Sequence, residues 1–398
     1  MLTQRELFLT HNAQTSPAPL LLEFVKAEGL YMYDGSGKKY MDLIAGIGVS
    51  NVGHCHPKVV KAVKDQAETY MHLMVYGEFV QSPQVNFAKA LADILPASLN
   101  CTYFVNSGTE AVEGAMKLAK RFTGRTEIIA CKNSYHGSTQ GALSLMGNEV
   151  FKQAYRPLLP GIKFIEFNHL PDLDHISSQT AAVFIETIQG EAGIRVPDED
   201  YLQQLRKKCL ETGTLLVLDE IQCGFGRTGT MFAFEHFEVI PDILLLAKGI
   251  GGGMPIGAFI ASKEMMSVFT EKPILGHITT FGGHPVSCAA GLATLTAILN
   301  EQLVDAVEEK GMLFKKLLKH QAIRTIRGKG LMLAVVFESY EINKAIIDGC
   351  IADGILTDWF LHCSNAMRIA PPLMITSFEI EEACHIILKN IDRVLKKS

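Results

Sequence analysis

The chain has 398 residues, 48% of them hydrophobic and 20% charged, and carries a formal net charge of −5. That length and apolar content bury a substantial core and suggest two or more closely associated domains, while the charge supplies neither a basic footprint nor a lysine-arginine run for a nucleic-acid backbone. No stretch reaches the roughly 18 to 20 apolar residues that cross a bilayer, the first residues carry no apolar leader core, and the nine cysteines lack a C-x-x-C spacing, so free thiols in the cytoplasm are the expectation.

In chain order, Tyr31 to Tyr40 reads as a β-hairpin, with Asp34-Gly35 and Ser36-Gly37 supplying the turn chemistry. His54-Cys55-His56 resembles a fragment of a metal site but has no third and fourth ligand near it in sequence, and no metal is expected. Short apolar runs then recur at 101–105, 128–131, 163–167, 181–185, 215–218, 243–246 and 258–261, most of them separated by segments of helical length. Their hydrophobicity is continuous rather than alternating, which predicts strands covered on both faces, as in a mainly parallel sheet. After Gly291 helical periodicity takes over, followed by a β-like run at Leu331 to Phe337 and an amphipathic helix near Glu379 to Lys397. The expected fold class is α/β. A large domain would span residues 51–290, and a smaller α+β domain would be assembled from both chain ends, 1–50 and 291–398.

Ser107-Gly108-Thr109-Glu110 follows the run ending at Val105 and opens a helix with apolar positions at Val112, Ala115, Met116, Ala119 and Phe122. Ser107-x-x-Glu110 has the spacing of a capping box; a helix amino terminus with a glycine for close approach and two hydroxyls is equally a phosphate site. Tyr135-His136-Gly137 lies beyond the run at 128–131, where an aromatic face either packs or stacks on a flat ring. Asp219 ends one apolar run and Lys248 ends another, so two strands of one sheet would deliver an acid and an amine to the same edge, where open α/β sheets bind ligands. A lysine that closes a strand can simply reach solvent. Flanked by glycines and buried, it instead has the lowered pKa that Schiff-base formation and proton shuttling require. An amine and a carboxylate so placed suit pyridoxal phosphate, which is held through its carbonyl and accepts electrons when its ring nitrogen stays protonated. Gln222, three residues past the acid, would reach the ring hydroxyl, with Glu220 acting at one remove.

Several stretches taken together resemble one family: SGTEA (107–111), YHG (135–137), QGEAG (189–193), LDEIQCGFGRTG (218–229), AKGIGGGMPIGA (247–258), TTFGGHP (279–285) and RIAPPL (368–373). In this order they are similar to the signatures of class III pyridoxal-phosphate aminotransferases, most of all the acetylornithine, ornithine and 4-aminobutyrate group, from about Tyr31 to Leu373. The resemblance implies a fold-type I homodimer with a mainly parallel seven-stranded sheet and active sites shared across the interface. It implies that Lys248 binds the cofactor and shuttles the proton, that Asp219 pairs with the pyridine nitrogen, that Gln222 contacts the ring hydroxyl and that Tyr135 stacks on the ring. Ser107, Gly108 and Thr109 would form the phosphate loop, with Thr280 reaching the phosphate from the partner subunit, and His136 and Glu186 would complete the cofactor site. Arg368 would clamp a substrate α-carboxylate with two parallel hydrogen bonds, and Glu191 would mask that arginine while an ω-amine is bound.

The sequence also departs from the pattern. Ser138 stands where those relatives generally carry an arginine for a second substrate carboxylate, a contact of about 1.5 to 3 kcal/mol per charged hydrogen bond. Thr187 stands where proline usually follows the glutamate that supports that arginine, which leaves Glu186 without its usual partner. The expected activity is transamination from an ω-amino acid or diamine of the acetylornithine, ornithine or 4-aminobutyrate type to an α-keto acid, 2-oxoglutarate. The alternatives are a pyruvate-linked ω-amine transaminase, which Ser138 favours, and a glutamate-1-semialdehyde-type aminomutase, which Gln222 disfavours. Tyr76, Phe79 and Trp359 are placed at the substrate entrance, with Tyr76 and Ser138 on the substrate side.

Overall fold

Seven of the apolar runs become the strands of a single sheet. The computed structural model describes residues 2–74, 77–198 and 200–396. A first group of strands, β1 (Phe24–Glu28), β2 (Tyr31–Asp34) and β3 (Lys39–Asp42), includes the expected hairpin, and Asp34 Oδ1 closes its turn by accepting from the N–H groups of Ser36 and Lys38. The central sheet follows: β4 (Cys101–Val105), β5 (Glu127–Cys131), β6 (Ile162–Ile165), β7 (Thr180–Glu186), β8 (Leu215–Asp219), β9 (Ile243–Ala247) and β10 (Gly257–Ala261), in the spatial order β4-β10-β9-β8-β7-β5-β6. All neighbouring pairs are parallel except those of β10, which is antiparallel to both β4 and β9. The connection from β9 to β10 is too short for a crossover helix, so β10 has to reverse.

Side chains along these strands alternate between two cores, which is why the runs are apolar without a break. Ile129, Val183, Ile185, Leu216, Leu218, Leu244 and Leu246 face one core, whereas Ile128, Ala182, Phe184, Val217, Ile243 and Leu245 face the other. The helix Gly108–Thr123 covers the second face with Val112, Ala115, Met116 and Ala119, while Phe122 is exposed. Gly114 sets how closely it lies, because a Cβ there would come within 2.3 Å of Phe259 Cε1.

The later strands β11 (Thr325–Lys329), β12 (Met332–Val336), β13 (Ile355–Leu356), β14 (Trp359–Phe360) and β15 (Cys363–Ile369) build the smaller sheets. β13 pairs in parallel with β3, and the others form a sheet in the order β11-β12-β15-β14. Leu30, Met41 and Leu43 from the front of the chain share one apolar cluster with Val307, Phe314, Leu333, Ile346 and Ile391 from its end. The expected change at residue 291 falls inside the helix Pro285–Asn300, whose Leu295, Ala297 and Ile298 belong to the core of the large sheet. We propose to place the transition after Asn300. Among the described residues no helix is long and apolar enough to cross a membrane.

Candidate active site

Parallel register brings three chain-distant residues to one edge. Glu186 pairs with Asp219 at the ends of β7 and β8, Asp219 pairs with Leu245 of β9, and Lys248 follows two residues after β9's Leu246. The carboxyl ends of β4 and β5 point the same way and supply Ser107, Gly108 and Thr109 on one side and Tyr135, His136, Gly137 and Ser138 on the other. All of these residues, with Gln222, line one cleft of ≈ 700 Å³.

Asp219 is buried and held from two sides: Oδ1 accepts from the N–H of Ile221 at 2.9 Å and Oδ2 from His136 Nδ1 at 2.8 Å. Burial opposes a charge on His136, but the hydrogen bond and charge of Asp219 outweigh it and raise the imidazole's pKa above its ordinary value. Two donors thus fix the orientation of Asp219 in the cleft lining.

Lys248 is half-buried rather than buried, because the cleft reaches it, and its backbone has a positive φ of 50°. Its amine makes no hydrogen bond or ion pair with a described residue. Desolvation pushes its amine below the usual lysine range against the pull of Glu191.

Glu186 is not left without partners. Its carboxyl accepts from the N–H of Tyr135 at 3.0 Å and of Gly190 at 2.8 Å, and burial pushes its pKa up to about 7. Thr187 also finds a use: its hydroxyl donates to the buried Glu220 at 3.0 Å, and Glu220 in turn accepts from the N–H groups of Ala233 and Phe234.

At the helix amino terminus only half of the capping box forms. Ser107 Oγ accepts from the N–H of Glu110 at 3.3 Å, but the Glu110 carboxylate turns to the N–H of Asn106 at 2.7 Å. The first-turn N–H groups of a helix have no intrahelical partner, and Ser107, Gly108 and Thr109 present them along the cleft wall. Gly137, at φ 125°, must be glycine here, since a Cβ would meet Thr109 Oγ1 at 2.4 Å. Tyr135 is half-buried, and its hydroxyl lies 3.2 Å from Ser138 Oγ.

Behind Gln222 lies the second charged group. Arg368 Nη2 donates to both oxygens of Glu191 at 3.1 Å, Nη1 reaches Gln222 Oε1 at 3.5 Å, and Gln222 Nε2 donates to Glu191 Oε1 at 3.2 Å. Burial alone would raise Glu191; the charge of Arg368 and the N–H of Leu361 at 3.0 Å outweigh it, and the carboxyl lies below its ordinary pKa. Arg368 Nε is taken by Asp358 Oδ1 at 2.8 Å. Asp358 was not legible in the sequence, since it stands between two two-residue strands and ten positions from its partner.

Other expected residues fall elsewhere. Thr280 is exposed and does not line the cleft of its own chain, and Tyr76 lies outside the described residues. Phe79 is exposed, and Trp359 packs edge-on against Tyr340 at 5.7 Å instead of standing at the cleft, because β14 turns it toward the small core. The imidazoles of His54 and His56 pair with Asp42 and Glu301.

The donor set fits pyridoxal phosphate: an amine with lowered pKa, a buried carboxylate on the neighbouring strand and a helix amino terminus face one cleft. A family model for class-III aminotransferases matches residues 12–391. The acetylornithine aminotransferase of Methanopyrus kandleri is 43% identical over 390 residues, covering 95% of this chain and 96% of that protein. Among solved structures, the ornithine aminotransferase of Toxoplasma gondii, described with partial occupancy of PLP at its active site, superposes with a TM-score of 0.91 at 32% identity, covering 98% of this chain and 93% of that one. A PLP-bound amine transaminase from an uncultivated Pseudomonas species gives a TM-score of 0.89 at 27% identity, covering 96% and 98%.

Proposed function

The chain belongs to the class III aminotransferases, and from that premise we propose that it moves the ω-amino group of an acetylornithine- or ornithine-like donor to an α-keto acid, 2-oxoglutarate. Its cofactor is pyridoxal phosphate, which supplies a carbonyl that takes up amines and a ring that stores an electron pair. The observation that carries the reading is the placement of Asp219 and Lys248 at the ends of neighbouring strands, with the Arg368–Glu191 pair directly behind Gln222.

Each residue has work that follows from its surroundings. The amine of Lys248, whose hold on a proton desolvation weakens, would hold the cofactor and carry the proton from the substrate carbon and back. Asp219, fixed by His136 and the N–H of Ile221, keeps a proton on the ring nitrogen. Ser107, Gly108 and Thr109 would hold the phosphate at a helix amino terminus, and Tyr135 would offer its aromatic side chain to the ring. Gln222 serves the ring hydroxyl, while Glu186 holds the loop that carries Tyr135 through its N–H.

The substrate end works as an exchange of carboxylates. With Glu191 on Arg368 its terminal nitrogen is occupied, and an ω-amine donor enters without meeting a free guanidinium edge. When Glu191 withdraws, the same nitrogens take the α-carboxylate of a keto acid. We place the enzyme in the cytoplasm as a homodimer, with Thr280 of each chain turned to the other's phosphate site.

A second reading, a pyruvate-linked amine transaminase, is favoured by one observation. Among the described residues that line the cleft there is no arginine, and Ser138, on the substrate side, offers only a hydroxyl beside that of Tyr135. Steady-state rates with 2-oxoglutarate and with pyruvate, at a fixed saturating donor, separate the two. The proposal expects kcat/KM at least about ten-fold higher for 2-oxoglutarate, the scale of one charged contact; a preference of that size for pyruvate would replace it.

A further inference from the structure

We infer that Asp358 is a positioning residue that turns Arg368 into a one-sided hook for a carboxylate, an inference that rests on the keto-acid role of Arg368 and deepens it. The guanidinium is held on separate edges by separate groups. Nε donates to Asp358 Oδ1 at 2.8 Å, whereas the two terminal nitrogens go to Glu191 and to Gln222, a residue that lines the cleft. The ring of Phe360 lies 4.3 Å from the guanidinium carbon and fixes its plane.

Asp358 reaches this position through the backbone, independently of the cleft. The N–H of Arg368 donates to the carbonyl of Asp358 at 2.9 Å, and the hydroxyl of Thr357 donates to the carbonyl of Arg368 at 2.6 Å. The two residues therefore face each other across β15 and the segment that opens β14, and their side chains meet because their backbones do. Glu191 is anchored differently, by the N–H of Leu361, and its hold on Arg368 can end without disturbing Asp358.

Three consequences follow from this division. An unrestrained arginine loses rotamer freedom when it binds, and Asp358 removes that cost beforehand. With Nε occupied, Nη1 and Nη2 form the edge left for an incoming carboxylate, in the fork that matches it. The count of charges on the guanidinium, two carboxylates to one cation, is the same whether Glu191 or the substrate occupies that edge. The loss of Asp358 therefore falls on the carboxylate half-reaction, where Arg368 has to capture a free ligand, because Glu191 keeps its own anchor at the N–H of Leu361.

The test compares holoenzymes carrying Asp358→Ala, Asp358→Asn and Arg368→Ala. Four quantities are read: KM and kcat for 2-oxoglutarate, the rate of the donor half-reaction, and the dissociation constant of glutarate, an unreactive carboxylate, by calorimetry. Asp358→Ala should raise both the keto-acid KM and the glutarate dissociation constant about ten-fold, the cost of an arginine no longer held in place, with kcat and the donor half-reaction within about two-fold. Asp358→Asn, which keeps an acceptor for Nε and the shape of the side chain, should show a smaller rise of about three-fold, and it decides the matter should the alanine variant not fold. Equal losses in both half-reactions, or no rise in the keto-acid KM for either variant, would overturn the inference. Arg368→Ala separates the levels: a selective keto-acid defect there, absent from the Asp358 variants, removes Asp358 and leaves the function standing, whereas no selective defect in Arg368→Ala removes the arginine's role and the inference with it.

Discussion

At Glu186 a buried carboxyl receives two hydrogen bonds from the backbone, and burial still holds its pKa up at about 7, well above the 4.5 of an ordinary glutamate. The sign of the consequence is set by proton uptake. The folded state keeps the proton at pH values where the unfolded chain has released it, so the stability contributed is full below about 4.5 and is lost as pH rises through about 7. A glutamine at this position has no proton to lose. Thermal melts of the wild type and Glu186→Gln between pH 6 and 8 should therefore show the wild type falling further; parallel curves would mean that the carboxyl is already ionised at pH 6. The same scale shows what a sequence carries and what it hides. Asp219 and Lys248 were legible because each closes an apolar run, and a run's end fixes which edge of the sheet its next residue meets. Asp358 was not, because its meaning depends on a partner brought opposite by two very short strands. Glu186 was expected to lack its usual arginine partner, and the N–H groups of Tyr135 and Gly190 that it does meet are partners no side-chain pattern announces.

Among the elements, the central strands were readable and most of the surrounding helices were not. A strand buried on both faces needs apolar side chains at consecutive positions, whereas helices such as Pro57–Thr69 mix lysines with their apolar residues and blend into the polar background. The helix Gly108–Thr123 is the exception, announced by Ser107 and carried to the cleft by its packing on β9 and β10. Its position depends on Gly114. Gly114→Ala has ordinary helical backbone geometry but drives a methyl to within 2.3 Å of the Phe259 ring. The expected result is a loss of about 1 to 3 kcal/mol in unfolding free energy, typical of an overpacked core, together with weaker retention of the cofactor phosphate as the helix terminus shifts. Chemical denaturation of the two proteins measures the first, and a variant as stable as the wild type would mean that the helix rides up without cost.

Over the whole molecule, the chain ends come together in one apolar cluster and are tied to the sheet beside the cleft. Arg227, wholly buried, donates to the carbonyl of Leu331 at 3.0 Å and to the carbonyl of Pro371 and the side chain of Asn51, so it joins the loop after β8 to both ends of the chain. This is how Arg368, on β15 of the small sheet, comes to stand behind Gln222, which follows β8 of the large one. The helical periodicity expected after Gly291 belongs to a helix that already begins at Pro285, whose hydrophobic pattern joins the large core while its place in the chain suggests the small one. On the proposed reading, a cofactor site on one sheet and a carboxylate site on another would let two substrates of different charge use one cleft in turn. The most direct test of that account is the donor half-reaction: cofactor-loaded protein mixed with a single amine and no acceptor, with the cofactor absorbance followed over time and Lys248→Ala as the blank. Rapid conversion by ornithine, N-acetylornithine or 4-aminobutyrate, absent from the variant, is the predicted result. Conversion by simple amines or alanine alone would contradict the ω-amino acid reading, and equal conversion by Lys248→Ala would contradict the role of the lysine on which the site is built.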